Sequence, residues 1–397
     1  MKHQGLNSEQ TKKSNRLLVL NLLCTMQTAT RTEITNRIGL AKMTVTNITA
    51  DLLASGLIYE KETIDPKRQG AGRRQMLLSL SPDSPAVVGI WLSRDFCMGI
   101  VAGMNLQVLG RMQIDFSADE TAQSITTKLV QLVEGLTRGL SRKIAGVGIA
   151  SIGPLDIKHG VILNPPNFFH IKNYPIADEL RLRLNLPVFL QNDMNAGALA
   201  EKYFGAACEM KDFVYLGLTN GIGTGIVVRE SLFEGTHGFS GEIGHMSIDC
   251  NGPFCQCGNR GCLETFVSVP KIIRQFNDAF GRDMKTFAEV CDFCSITPEA
   301  DALMEEICSK LSVALVNLCN TLDPEAIIIG HDGAFLNDRD FLRISERVNS
   351  RVLAKDCSNV KFLRSTFGSL APVYGAAVVV LRRIFEGKLM YDEIFPE

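Results

Sequence analysis

Gly238-Phe239-Ser240-Gly241-Glu242-Ile243-Gly244-His245 is followed, ten residues after its histidine, by Cys255-Gln256-Cys257-Gly258-Asn259-Arg260-Gly261-Cys262-Leu263-Glu264. The spacing of potential ligands is H-x9-C-x-C-x4-C. One imidazole and three thiolates complete a tetrahedral Zn2+ shell with no open position, so the pattern predicts a structural zinc on His245, Cys255, Cys257 and Cys262. Gly252, Gly258 and Gly261 permit the tight wrap such a shell needs. Free thiols in a loop are the plainer alternative. Three cysteines within eight residues, with a histidine nearby, favour the metal. Of the twelve cysteines in the chain, Cys24, Cys97, Cys291 and Cys308 are among those that lie scattered and read as core. A disulfide scaffold is not expected in a chain of this size.

Outward from this cluster the chain alternates apolar runs with helical periods. Strands are predicted at 86–92, 96–102 and 108–116, a helix at 118–140 and a strand at 144–152. A second set follows, with strands at 213–218, 225–228 and 326–330, a long helix at 302–321 and a closing helix at 371–385. This order predicts two α/β lobes, 86–191 and 192–370, with 371–397 returning to the first. A length of 397 residues and 46% hydrophobic content suit two or three domains. No short-period repeat or low-complexity segment is evident. No apolar run reads as a membrane span and residues 1–16 are polar, so the expected location is the cytoplasm.

Residues 1–80 form a separate head. They hold 12 Lys/Arg against 6 Asp/Glu, a net of +6, whereas the rest of the chain carries −8. A basic head on an acidic body suits nucleic acid, although an ordinary solvated domain explains charge alone equally well. A helix is predicted over 15–27. Thr30-Arg31-Thr32-Glu33 reads as a capping box opening a second helix. Gly39-Leu40 makes a turn, and a third helix runs to about Ser55 with Val45, Ile48 and Leu52 inward. Its outward face is expected to carry Lys42, Thr44, Thr46, Asn47 and Thr49, small donors and acceptors suited to phosphates and base edges. Asp51 on the same side is expected to weaken this patch. Strands at 57–61 and 75–80 flank a loop with Lys67, Arg68, Arg73 and Arg74, a basic wing that fits a minor groove. The prediction is an all-α winged helix-turn-helix with a β wing, binding a double-stranded DNA operator.

With these motifs in hand, the sequence resembles the ROK family of repressors and sugar kinases, most closely its xylose-repressor and N-acetylglucosamine-repressor branch. The resemblance spans nearly the whole chain. It is carried by Gly238 to His245, by Gly261-Cys262-Leu263-Glu264, by Asn192-Asp193-Met194-Asn195-Ala196, and by Thr219-Asn220-Gly221-Ile222-Gly223-Thr224-Gly225. It implies an actin/hexokinase-like (ribonuclease H-like) two-lobed body, a structural zinc and assembly as a homodimer or homotetramer. It also implies a sugar held by Asn167, Asn192, Asp193, Glu242, His245 and Glu264. The chemistry fits, because carboxylates accept from vicinal hydroxyls while Asn both donates and accepts. His245 would serve zinc with one ring nitrogen and the sugar with the other. Asn192 and Asp193 could instead cap the helix reaching Tyr203.

An active kinase of this family also needs a carboxylate base, a position held by Asp193, and a phosphate cradle with an Asp, paired glycines and Thr on the first hairpin. Here Trp91 stands at the acidic position and Ser93-Arg94 replace the glycines. Gly330-His331-Asp332-Gly333 adds charge and bulk to the nucleotide-side turn. The expectation is therefore a non-enzymatic, sugar-responsive repressor of carbohydrate uptake or catabolism genes. Sugar is expected to bridge Asn192 and Asp193 of one lobe to Glu242 and His245 of the other, with 81–85 as a hinge. The alternatives are an active sugar kinase using Asp193 as base, or a sensor of a protein partner.

Overall fold

The computed structural model describes residues 8–62, 76–357 and 359–395. The chain divides into two compact units, one of Met1–Ile149, Pro166–Leu190 and Ala376–Glu397, the other of Ala150–Pro165 and Gln191–Gly375.

The first unit begins with α1 (Ser8–Met26), β1 (Thr28–Ala29), α2 (Arg31–Ile38), α3 (Lys42–Ala54), β2 (Ile58–Glu62) and β3 (Met76–Leu80), its strands ordered β1-β3-β2. Thr30 caps α2 by accepting from the Glu33 amide, and the Glu33 carboxylate accepts from Thr30 N at 2.7 Å. That reciprocal bonding holds Glu33 below the usual carboxylate pKa range. Gly39, at φ 69°, ends the helix in a left-handed cap. Val45, Ile48 and Leu52 of α3 are buried as expected, and Lys42, Thr46 and Asn47 are exposed. Thr44 is half-buried.

Three expectations for this region are corrected. Thr49 does not face outward: it is fully buried and accepts from Arg31 Nε at 2.9 Å. Asp51 is not an open charge beside the patch, because Arg16 Nη2 pairs with it at 2.6 Å. Residues 81–85 are a bonded turn and not a loose hinge, with Ser81 N donating to Leu57 O, Ser84 N to Ser81 O and Ala86 N to Lys143 O. The wing residues Lys67, Arg68, Arg73 and Arg74 lie outside the described residues.

The body of this unit contains β4 (Ala86–Leu92), β5 (Phe96–Gly103), β6 (Val108–Asp115), α4 (Ala122–Thr137), β7 (Ile144–Ser151), β8 (Leu155–Asp156), β9 (Val161–Ile162), α5 (Ile176–Leu184) and β10 (Val188–Asn192), some of whose residues belong to the other unit. The main sheet runs β10-β7-β4-β5-β6.

The second unit continues through α6 (Asp193–Phe204), β11 (Phe213–Leu218), β12 (Ile222–Val228), β13 (Ser231–Leu232), α7 (Glu264–Val267), α8 (Val269–Phe280), α9 (Phe287–Ile296), α10 (Pro298–Leu322), β14 (Ala326–His331), α11 (Asp338–Asn349) and β15 (Lys361–Arg364). Its sheet runs β13-β12-β11-β14-β15. Numbered in chain order within each five-stranded sheet, both follow the order third, second, first, fourth, fifth, the repeat of an actin/hexokinase-like body. Side chains alternate across β11: Val214 and Leu216 join a core with Ile272, Phe276, Leu311 and Leu315, while Phe213 and Tyr215 pack with Met194 and Ala198 of α6.

The chain closes with α12 (Ala371–Phe385) and α13 (Tyr391–Ile394). Residues 368–385 are long and apolar enough to cross a bilayer, against the expectation that no run would be, and 67% of the stretch is buried in the protein, as a core helix requires. Beyond it the chain reaches α1. Lys13 Nζ lies 4.3 Å from the Tyr391 ring centre, and the Arg16 guanidinium lies 5.0 Å from that of Phe395.

Candidate functional site

β10 runs straight into α6 at Asn192-Asp193. Asn192 Oδ1 accepts from Met194 N at 3.0 Å and Asn195 N at 3.2 Å, so it is the helix cap. Its Nδ2 takes no part in the cap and lies near Gly153, where a Cβ would stand 3.6 Å from it. Asp193 is buried at 4% exposure, and its Oδ1 accepts from Met194 N at 2.9 Å. Capping and ligand binding are therefore compatible here, since they use different atoms.

β11 and β12 pair antiparallel, and β12 lies against α6. Gly225 makes this approach possible: a Cβ there would stand 2.4 Å from Met194 O. The glycine-rich loop thus has a packing role on its own account. At the loop's start, a Cβ on Gly221 would stand 2.9 Å from Glu264 Oε2, and Ile222 N donates to the same oxygen at 3.4 Å. Glu264, at the head of α7, is thereby aimed at the loop.

Between β13 and α7 the chain passes through Glu242 and His245. Glu242 is exposed at the surface, yet partial desolvation of its carboxyl raises the pKa above its ordinary value; His245 opposes this and Glu264 adds to it. Two bridges close the cysteine segment on itself, Ser247 with Cys262 and Phe254 with Arg260. At Gly261, φ is 64° and a Cβ would fall 1.7 Å from Asp249 O, so no other residue fits.

One ligand atom from each of His245, Cys255, Cys257 and Cys262 lies within 4.8 Å of the others. Cys257 Sγ and Cys262 Sγ are 3.7 Å apart, and Cys255 Sγ is 3.6 Å from His245 Nδ1. A tetrahedron with zinc–sulfur bonds of about 2.3 Å has edges of about 3.75 Å. The four side chains therefore fit a metal of zinc's size, with Nδ1 as the imidazole donor. Without metal, hydrogen bonding from Asn259 N and then from Cys255 lowers the Cys257 thiol to about 7, while burial pushes that of Cys262 to about 12.

Asn192, Asp193, Glu242, His245 and Glu264 all belong to the second unit, so the expectation that Asn192/Asp193 and Glu242/His245 stand on opposite lobes is corrected. Asn167 belongs to the first unit, exposed, with φ 55°.

The turn from β4 to β5 carries Ser93, Arg94 and Asp95. Trp91 packs edge-on to Phe96, with ring centres 5.0 Å apart, and Arg94 Nε reaches Pro166 O at 3.3 Å. At the end of β14, His331 is 1% exposed and shares a 3.0 Å hydrogen bond between Nδ1 and Tyr215 Oη. Burial lowers its pKa to about 3, keeping it neutral. Asp332 beside it has its pKa raised by burial, opposed by a hydrogen bond from Thr219. The sequence did not single out Tyr215 as the partner of His331, because the two meet only through parallel pairing of β11 with β14.

The sequence profile described as "ROK family" matches residues 87–383. A xylose repressor of Caldicellulosiruptor bescii is 29% identical over 391 residues, covering 94% of this chain and 97% of that protein. A glucokinase of Thermotoga maritima is 28% identical over 303 residues, covering 73% of this chain and 95% of its own length. Among solved structures, a ROK family transcriptional regulator described as a homolog of the E. coli MLC protein superposes with a TM-score of 0.79 at 25% identity, covering 97% of this chain and 99% of that one.

Proposed function

The chain belongs to the ROK family, and from that premise we propose that it is a sugar-responsive transcriptional repressor of carbohydrate genes. The head, residues 1–80, is a winged helix-turn-helix that reads an operator with the exposed face of α3, and the body senses the sugar. The observation that carries this reading is the head itself: the family profile begins at residue 87, and the likeness to a xylose repressor extends over 94% of the chain. A dimer would present two heads to a pseudopalindrome.

In the body, Asn192 Nδ2 and the carboxylates of Asp193, Glu242 and Glu264 hold sugar hydroxyls. His245 gives Nδ1 to a structural zinc and turns Nε2 to the sugar. The zinc would supply a fixed ring orientation and a closed knuckle, with no part in bond making. The location consistent with this role is the cytoplasm.

The kinase alternative is disfavoured by two turns. Arg94 and Trp91 crowd the first hairpin. The buried imidazole of His331 and the carboxyl of Asp332 occupy the turn after β14, where phosphates would need small residues and open amides. Asp193 is then a ligand and not a base.

The test uses duplexes selected from a random library by the purified full chain. D-Xylose, D-glucose and N-acetyl-D-glucosamine are then added at millimolar concentration. One of them is expected to change duplex affinity by roughly tenfold, a coupling of about 1.4 kcal/mol. ATP turnover is expected to stay at background with every sugar. Robust sugar-dependent turnover would sink the reading, as would duplex binding that no sugar alters.

A further inference from the structure

The proposed sugar contacts within the second unit come from two stretches distant in sequence, Asn192-Asp193 and the run from Glu242 to Glu264. One side chain that neither set contains joins the first stretch to the loop that leads into the second. Gln191, 4% exposed, accepts through Oε1 from Asn192 N at 2.8 Å and from Asn195 Nδ2 at 3.3 Å. Through Nε2 it donates to Glu234 Oε1 at 2.8 Å. The chemistry fixes this orientation. A backbone amide only donates and a carboxylate only accepts, so the carboxamide must turn its oxygen to Asn192 and its nitrogen to Glu234. An aliphatic or a carboxylate at 191 could not satisfy both.

Each end of this bridge bears on a sugar contact. Asn192 Oδ1 is engaged in capping α6, so the direction of its Nδ2 depends on where the Asn192 backbone is held. Glu234 opens a loop that closes on Ser240: Ser240 N donates to Glu234 O at 3.4 Å, and Ser240 Oγ donates to Phe233 O. Two residues later comes Glu242.

We propose that Gln191 is a positioning residue for sugar sensing, a latch that binds the start of α6 to the 234–240 loop so that Asn192 and Glu242 are presented in one fixed register. The proposal rests on the sugar-sensing reading, while the latch is measurable without any sugar. It makes Gln191 and Glu234 determinants of the response although neither is assigned a sugar contact.

The experiment is a reciprocal exchange in the full chain, with hydrogen exchange read at residues 192–195 and 234–242. Gln191→Glu sets two carboxylates against each other and should speed exchange in both stretches by about tenfold. Glu234→Gln keeps an acceptor for Nε2 and should change exchange by about threefold or less. In the double variant the new amide donates to the new carboxylate, and exchange should return to within about threefold of the parent. Thermal shifts with D-xylose, D-glucose and N-acetyl-D-glucosamine should follow the same pattern, lost in Gln191→Glu and regained in the double variant. Faster exchange confined to 192–195, or a double variant no better than Gln191→Glu, overturns the latch. If Gln191→Glu fails to fold, a folded, parent-like double variant supports the latch, and an unfolded double beside a folded Glu234→Gln overturns it. A parent chain that answers none of the three sugars while the exchange pattern holds would count against sugar sensing and leave the latch standing.

Discussion

His245 turns Nδ1 toward Cys255, 3.6 Å away, and this choice of nitrogen decides what the residue can do. A metal held at Nδ1 leaves Nε2 on the opposite edge of the ring, the geometry that a histidine shared between metal and sugar requires. Cys257 is the exposed thiol of the cluster, so its loss should not open a hole in the core. Cys257→Ala should lower metal affinity by on the order of a hundredfold or more. It should also release the His245 ring and abolish the sugar-induced thermal shift. Metal content by mass spectrometry checks this. A variant that keeps one ion per chain would mean that Cys257 is not a ligand. That these four residues come together was legible from spacing alone, because donors that can surround one small ion must recur at short intervals along the chain. Gln191 was not legible, since its partner Glu234 is brought to it only by the fold.

At the scale of elements, α3 shows why prediction worked for some features and not others. Val45, Ile48 and Leu52 repeat at helical spacing, and burial follows the repeat. Thr49 looked outward because it is polar, but Arg31 supplies a partner that lets it go inside. α1 starts at Ser8, well before the expected residue 15, because its first two turns are polar and exposed and carry no periodic signal. α8, α9 and α11 were missed altogether, as were α5 and the short strands, while β4, β11 and α12 matched to the residue. Arg16 is the pivot between elements. It pairs with Asp51 of α3 and lies over Phe395, and its side chain is 14% exposed. Arg16→Ala should therefore cost about 1–2 kcal/mol of stability, most of it from packing and the ring contact, since Asp51 itself is half-exposed. Thermal unfolding would show this, with reduced affinity for selected duplexes as the accompanying loss. An unchanged midpoint would mean that the contact contributes nothing.

For the whole molecule, charge and sequence coverage say more than any single residue. A net charge of +6 over residues 1–80 against −8 over the rest makes the head the part of the chain that favours a polyanion. If the proposed wing reaches DNA, Arg73→Ala should weaken binding and reduce the slope of log affinity against log salt by about 0.9, one phosphate's worth of counterion release. Affinity titrations across salt concentrations test it, and an unaltered slope would place the wing away from the duplex. The two successive α/β sets of elements and the histidine–cysteine cluster were readable, because each is written locally. The grouping of the head with the first lobe was not, because it is made in part by Tyr391 and Phe395 lying against α1. That contact has a consequence for biosynthesis. Some 375 residues separate Arg16 from Tyr391, so at ordinary rates of translation the head leaves the ribosome roughly 20–75 seconds before its aromatic cover is made. The part of the protein synthesised first is among the last to be finished, and a nascent chain cannot complete its N-terminal helical head before nearly all of the α/β body exists.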